Sequence, residues 1–226
     1  MFLLPALLLM IIFALLTAKA VNTFALSKSE EMTTCVVIDP GHGGVDGGAV
    51  SCTGVYESQI NLQISLRLND LMQLLGYRTK IIRTEDISVY TKGNTISEKK
   101  VSDLKERVRI INSTQNALLI SIHQNFFQDS RYNGAQVFYA KSGYEFAKIV
   151  QSQFCKTINS GSNRRIKKAD GIYLMEKING PGILIECGFL SNPSEEYNLR
   201  DAGYQKKLCC VIASATSQYI NHKAIA

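Results

Sequence analysis

Short apolar runs alternate along this chain with longer stretches in which apolar residues recur every three or four positions. The runs Cys35 to Asp39, Tyr77 to Arg83, Ala117 to Ile122, Ala135 to Ala140, Gly171 to Met175 and Gly182 to Glu186 are predicted strands. Ile60, Ile64, Leu68, Leu71 and Leu75 recur at helical spacing, and Gly76 follows where a glycine commonly ends a helix. Glu98 to Asn112 is a predicted charged helix with Val101, Leu104, Val108 and Ile111 on its apolar face. Gly143 to Ile158 and Gln205 to Tyr219 are further helices, Asn192-Pro193 opens a helical turn, and Thr84 to Ser97 is polar loop. Several strands are apolar throughout rather than alternating. Strands that alternate with helices and lack a polar face predict an α/β layer fold, its sheet covered on both sides. No internal repeat and no second domain are visible.

The first twenty residues depart from this pattern. Phe2 to Leu16 is almost wholly apolar, and Ala18-Lys19-Ala20 has the small-x-small form of a signal-peptidase site. A cleaved signal peptide and an uncleaved N-terminal membrane anchor both fit residues 1–20. Either one places the remainder outside the cytoplasmic membrane, with membrane contact through that segment. Residues 21–33 are rich in Ser, Thr, Lys and Glu and read as a linker. The domain proper is then 34–226.

Composition is that of an ordinary globular protein of 226 residues, enough for one full core. The formal net charge is +6, and Lys19 is the only charged side chain in the leader, so +5 remains without it. That excess suits an anionic polymer. No aromatic-interleaved basic stripe favours nucleic acid. Lys99-Lys100 and Arg164 to Lys168 read as short solvated clusters. The six cysteines form no C-x-x-C pair, which argues against a thiolate metal site. Cys35, Cys155 and Cys187 lie in apolar runs and read as small buried hydrophobes. The pairing of the six stays open.

The candidate chemistry sits at strand ends. The chain has three histidines. His42 follows the first strand in a Gly-rich loop, and His123 ends the third. Glu57 opens the helix after the loop, and Glu186 ends the last strand. Sites in open α/β sheets gather beyond the carboxyl ends of strands. Two imidazoles and a carboxylate can hold Zn²⁺ with a fourth position for water, and a carboxylate off the metal can move that water's proton. Taken singly, each residue has an ordinary reading. His42 can be a polar loop residue, His123 a satisfied core histidine, and Glu57 an acid favoured at a helix N-terminus. Glu186 is harder to dismiss, because a carboxylate closing an apolar strand is costly unless paired or exposed in a cleft. Asp39, Asn125 and main-chain carbonyls are candidate partners for the imidazole N–H groups. Phe126, Phe127 and Tyr139 are candidates for a glycan groove or for the core, and His222 for the surface. Cys187 should face away from Glu186.

These residues sit in a recognisable order. It comprises Ile38-Asp39-Pro40-Gly41-His42-Gly43-Gly44, Glu57 with Asn61-Leu62, Leu104-Lys105-Glu106-Arg107, Ser121-Ile122-His123-Gln124-Asn125, Gly134 to Tyr139, and Glu186-Cys187-Gly188-Phe189-Leu190-Ser191-Asn192-Pro193. In this the chain resembles the zinc-dependent N-acetylmuramoyl-L-alanine amidases of the amidase-3 type, closest to the germination-specific, spore-cortex subgroup. The likeness runs from residue 34 to about residue 221. Ser58, Gly47, Gln124 and Phe126 depart from the usual pattern, and none is an inferred ligand. The resemblance implies a single six-stranded, mostly parallel sheet flanked by helices on both faces, in agreement with the pattern. It implies that His42, Glu57 and His123 hold Zn²⁺ and that Glu186 is the catalytic carboxylate.

The implied reaction is hydrolysis of the amide between muramic acid and L-alanine in peptidoglycan. The implied partners are the glycan strand and stem peptide, with a protein that activates or localises the enzyme. The implied place is the cell wall or the forespore intermembrane space. Two other classes remain: a non-catalytic peptidoglycan-binding protein on this fold, and another zinc hydrolase of cell-wall polymers.

Overall fold

Strand β1 (Cys35–Pro40) is buried at every position. It can be, because both its faces are covered. The computed structural model describes residues 34–159 and 164–225, so the predicted leader and linker lie outside the described residues. Six strands form one sheet in the order β2-β1-β3-β6-β4-β5. They are β1, β2 (Arg78–Ile81), β3 (Ala117–Asn125), β4 (Gln136–Ala140), β5 (Lys167–Lys168) and β6 (Gly182–Phe189). The pairs β1–β2, β1–β3, β3–β6 and β4–β5 are parallel, and β4 runs antiparallel to β6. The expected six-stranded, mostly parallel sheet is therefore present. The helices are α1 (Glu57–Leu74), α2 (Ile96–Asn112), α3 (Tyr144–Thr157), α4 (Tyr173–Lys177), α5 (Pro193–Arg200) and α6 (Ala202–Ile225). Among the described residues no helix is long and apolar enough to cross a membrane.

The alternation of the strands divides the core in two. Val36, Ile38, Leu118, Ile120, Ile122, Ile183 and Ile185 pack with residues of α1, α3 and α6. Val37, Leu119 and Leu184 pack on the opposite face with Ile111 of α2 and Leu174 and Met175 of α4. Burying both faces is what removes the polar half of a strand pattern. In α1 the buried Ile60, Ile64, Leu68 and Met72 fall one turn apart, and the helix stops at Gly76, whose φ is +89°.

Three expectations change. The fifth strand is Lys167–Lys168, not Gly171 to Met175, where the chain turns and enters α4. A short apolar run does not distinguish a strand from one buried helical turn. Here Leu174 and Met175 are adjacent and both buried, as a helical turn against the sheet allows. Helix α2 begins earlier than expected, behind a capping box in which Thr95 accepts from the Glu98 N–H and the Glu98 carboxylate accepts from the Thr95 N–H. Its inward face is only partly the expected one, because Val108 and Ile111 pack against the core but the first half of the stripe does not. Val101 and Leu104 are 49% and 37% exposed, while Ser102, Asp103, Arg107 and Ile111 are buried. Hydrophobic spacing misplaced the Val101 and Leu104 half of this face because the inward stripe there carries a salt bridge.

Candidate metal centre

The loop after β1 carries His42 at φ +60°, a left-handed conformation rare for a residue with a side chain. Two buried arginines hold it there. Arg107 Nη2 donates to the His42 carbonyl (2.6 Å) and Nη1 to the Pro40 carbonyl (2.8 Å). Arg83 Nε donates to the Pro40 carbonyl, and its Nη2 to the carbonyls of Gly41 and Ser58 (3.0 and 2.9 Å). Arg107 also pairs with Asp39 and Asp103. Burial alone lowers a guanidinium pKa, but the two carboxylates outweigh it and raise that of Arg107. Asp39 is held below its usual range despite burial, by Arg107 and by the Ser121 hydroxyl that donates to it. Asp39 thus serves the loop clamp and does not contact an imidazole as expected. Neither arginine stood out in the sequence. The legible signal was the run ending at Arg107, without a role attached.

The loop brings three ligand-type side chains together. Glu57 is only 4% exposed. Its Oε1 lies 3.0 Å from His123 Nδ1 and accepts from Asn61 Nδ2 and the Gln124 N–H, each at 3.1 Å. Its Oε2 accepts from the Ala49 N–H (3.0 Å) and lies 3.3 Å from His42 Nε2. The imidazole rings meet edge to face, with centroids 5.0 Å apart. The ligand atoms of His42, Glu57 and His123 all lie within 4.8 Å of one another. Two ligands about 2 Å from a tetrahedral ion should be about 3.3 Å apart. The spacing and the two-nitrogen, one-oxygen donor set therefore fit a divalent cation.

Two glycines permit the convergence. A Cβ on Gly41 would sit 2.3 Å from the His123 ring, and one on Gly48 would sit 2.5 Å from Glu57 Oε2.

Asp46 orients His42, with its Oδ2 2.9 Å from His42 Nδ1, and Lys100 Nζ lies 2.8 Å from its other oxygen. Burial opposes a charged His42, but Asp46 and Glu57 outweigh it and raise the imidazole to about 9. Glu57 is likewise driven well below the carboxylate range, burial notwithstanding, by the two histidines. Asp46→Ala leaves Nδ1 without its partner. It should weaken metal binding by about 10- to 100-fold, read by competition against a chromophoric chelator. An unchanged affinity would show that Asp46 does not orient the ligand.

Glu186 sits beside this cluster but is not one of its three members. It pairs in register with His123 on β3 and with Gln136 on β4. Its Oε2 is buried without a hydrogen-bond partner among the described residues. Burial pushes its pKa up to about 7, with the two imidazoles opposing and Glu57 reinforcing the rise. Cys187 points the other way, into the core with Ile183 and Ile185. Burial raises its thiol far above the ordinary range, as fits an inert side chain.

Gln124 braces the centre, its side chain donating to Asn61 Oδ1 (3.1 Å). Phe126 and Phe127 are exposed at the rim, whereas Tyr139 packs against the core. His222 is exposed on α6, away from the other two histidines, and all six cysteines are free.

The pattern of the N-acetylmuramoyl-L-alanine amidase family matches residues 36–218. The chain belongs to that family. It is 36% identical over 192 residues to the germination-specific N-acetylmuramoyl-L-alanine amidase of Bacillus subtilis strain 168, covering 83% of this chain and 80% of the relative. Among solved structures it resembles the CwlD amidase from Clostridioides difficile in complex with the GerS lipoprotein. There the TM-score is 0.79 at 37% identity, covering 83% of this chain and 98% of that one. An N-acetylmuramoyl-L-alanine amidase from Clostridium difficile 630 matches with a TM-score of 0.71 at 31% identity, covering 84% of this chain and 97% of that one.

Proposed function

We propose that this amidase-family chain is a zinc enzyme that hydrolyses the amide joining the lactyl group of N-acetylmuramic acid to L-alanine. In the spore cortex this would be the first step toward muramic lactam. The observation that carries the reading is the buried, unbonded carboxylate oxygen of Glu186 beside a three-ligand cluster. A binding protein gains nothing from such a group. The names of the relatives support the substrate.

In this reading His42, Glu57 and His123 hold the ion, and Asp46 fixes the His42 ring. When bound, zinc supplies Lewis acidity toward the amide carbonyl and toward water. Glu186 takes the proton of the attacking water and hands it to the leaving alanine nitrogen. Its raised pKa suits both halves of that task, because a carboxylate near neutrality both accepts and donates. The polar support around Glu57 keeps that ligand ionised, so the two carboxylates hold different roles.

Residues 34–226 form the catalytic domain in this reading, and residues 1–20 carry it out of the cytoplasm to the wall or the forespore intermembrane space. A protein partner that activates or localises the domain is supported by the GerS complex of the Clostridioides difficile relative. Full activity of the purified chain alone would remove the need for one.

Mass spectrometry of digested peptidoglycan tests the reaction. Free stem peptides with intact N-acetyl groups are expected. Chelation should abolish their release and added Zn²⁺ should restore it. Loss of acetate would make the protein a deacetylase, and an unchanged wall would make it a binder.

A further inference from the structure

We propose that a basic cleft next to Glu186 binds a carboxylate of the stem peptide, at the residue following L-alanine. The inference rests on the amidase reading and assigns part of its substrate. The cleft, about 500 Å³, is bordered by Arg131, Arg164, Arg165 and Lys167, with Gln136 at its inner end. None of the described residues that line it is acidic.

Gln136 links the cleft to the reaction centre. It lies directly opposite Glu186 in the antiparallel β4–β6 pair. Its side chain is buried and spent on the basic segment, accepting from Arg164 Nη1 (3.0 Å) and donating to the Arg165 carbonyl (2.8 Å). Arg164 is further set by donating to the Asn133 carbonyl and by lying 4.6 Å over the Phe189 ring. Phe189 follows Glu186 on the same strand. The arginine segment is thus braced from the strands that carry the chemistry. Solvation alone requires no such bracing.

Charge and reach favour an anion from the substrate itself. Asp129 pairs with Arg131, and Glu195 opposes Arg164 while accepting the Gly134 and Phe189 N–H groups. Arg165 and Lys167 are both exposed at the cleft. Directly opposed strand residues are about 5 Å apart, and one extended residue spans about 3.5 Å. A carboxylate one residue past L-alanine therefore reaches the cleft while the scissile amide lies at Glu186. Stem peptides carry an acidic residue at that point, its carboxylate free or capped as an amide. The cleft selects the free acid.

The test uses the full chain and the released stem tripeptide, with the second-residue carboxylate either free or amidated. Calorimetric binding is expected to weaken about tenfold on amidation. The penalty should shrink with added salt. In the double variant R165Q/K167Q, amidation should make no difference. Equal binding of the two peptides by the wild-type protein, or an undiminished preference in the variant, overturns the proposal. Turnover of peptidoglycan is followed in parallel. Turnover without peptide preference sinks the subsite alone, whereas preference without amide cleavage sinks the catalytic reading alone.

Discussion

Glu186→Gln should lower turnover of peptidoglycan by about 10²- to 10⁴-fold while the protein keeps its full complement of metal. Glutamine preserves the volume and leaves His42, Glu57 and His123 untouched, but it cannot take a proton. Metal content by elemental analysis and release of stem peptides measure the two halves separately. A variant that keeps more than a tenth of wild-type activity would remove Glu186 from the proton path.

The same substitution has a second consequence. The folded state holds Glu186 at about 7, above its ordinary 4.5, because burial disfavours the anion. A raised carboxylate pKa contributes stability that is full below about 4.5 and is lost as pH climbs through about 7. Above that, the metal-free protein carries a buried charge costing on the order of 3 kcal/mol. Metal-free Glu186→Gln should therefore unfold at higher urea than metal-free wild type at pH 8, and at similar urea near pH 4. A bound cation lowers the cost of the anion, so the difference should narrow in the loaded protein. Identical urea midpoints at pH 8 without metal would mean that the carboxylate is solvated.

Arg107→Met should cost about 3–5 kcal/mol of stability, on the order of 10 °C in Tm. The substitution leaves Asp39 charged in the core, where it is 1% exposed, with only the Ser121 hydroxyl and distant charges to offset it. It also frees the His42 carbonyl and leaves the Pro40 carbonyl to Arg83 alone, so metal affinity should fall together with stability. Arg107→Lys keeps the charge but loses the fork that spans Asp39, Asp103 and two carbonyls, so it should fall between. Adding Asp39→Asn to Arg107→Met should recover part of the loss, because the uncompensated charge is then gone. A midpoint for Arg107→Met within 1 kcal/mol of wild type, with unchanged slope in urea, would contradict this account of the loop.

Much of the architecture could be read before any coordinates. The apolar strands around Val36, Leu118 and Ile183 announced a covered sheet, because strands buried on both faces lose their alternation. The α1 stripe and Gly76 marked one helix and its end. His123 and Glu186 stood out because polar groups closing apolar runs are expensive unless used, and His42 and Glu57 joined them through the order of motifs shared with the amidases. Other features were hidden for equally physical reasons. Lys167–Lys168 pairs at the sheet edge through its backbone, so its side chains carry no signal. Leu174 and Met175 fill the core from a single helical turn, which a short apolar run does not reveal. The inward face of α2 is apolar at Val108 and Ile111 but polar at Ser102, Asp103 and Arg107, where hydrophobic spacing points elsewhere.

Local spacing and burial cost therefore determined by themselves the fold class and the strand ends that carry chemistry, and the order of motifs singled out the four residues on which the reaction is proposed to depend. Only the tertiary structure decided which groups hold them. Asp46, not Asp39, lies on His42. Arg83 and Arg107 clamp the loop that presents it. Gln136, across the sheet from Glu186, bonds the basic segment. Asp46 lies only four residues from His42, but the others are pairings between residues far apart along the chain, largely buried from water. Periodicity reports which side chains leave water, and only folding decides which charges then meet.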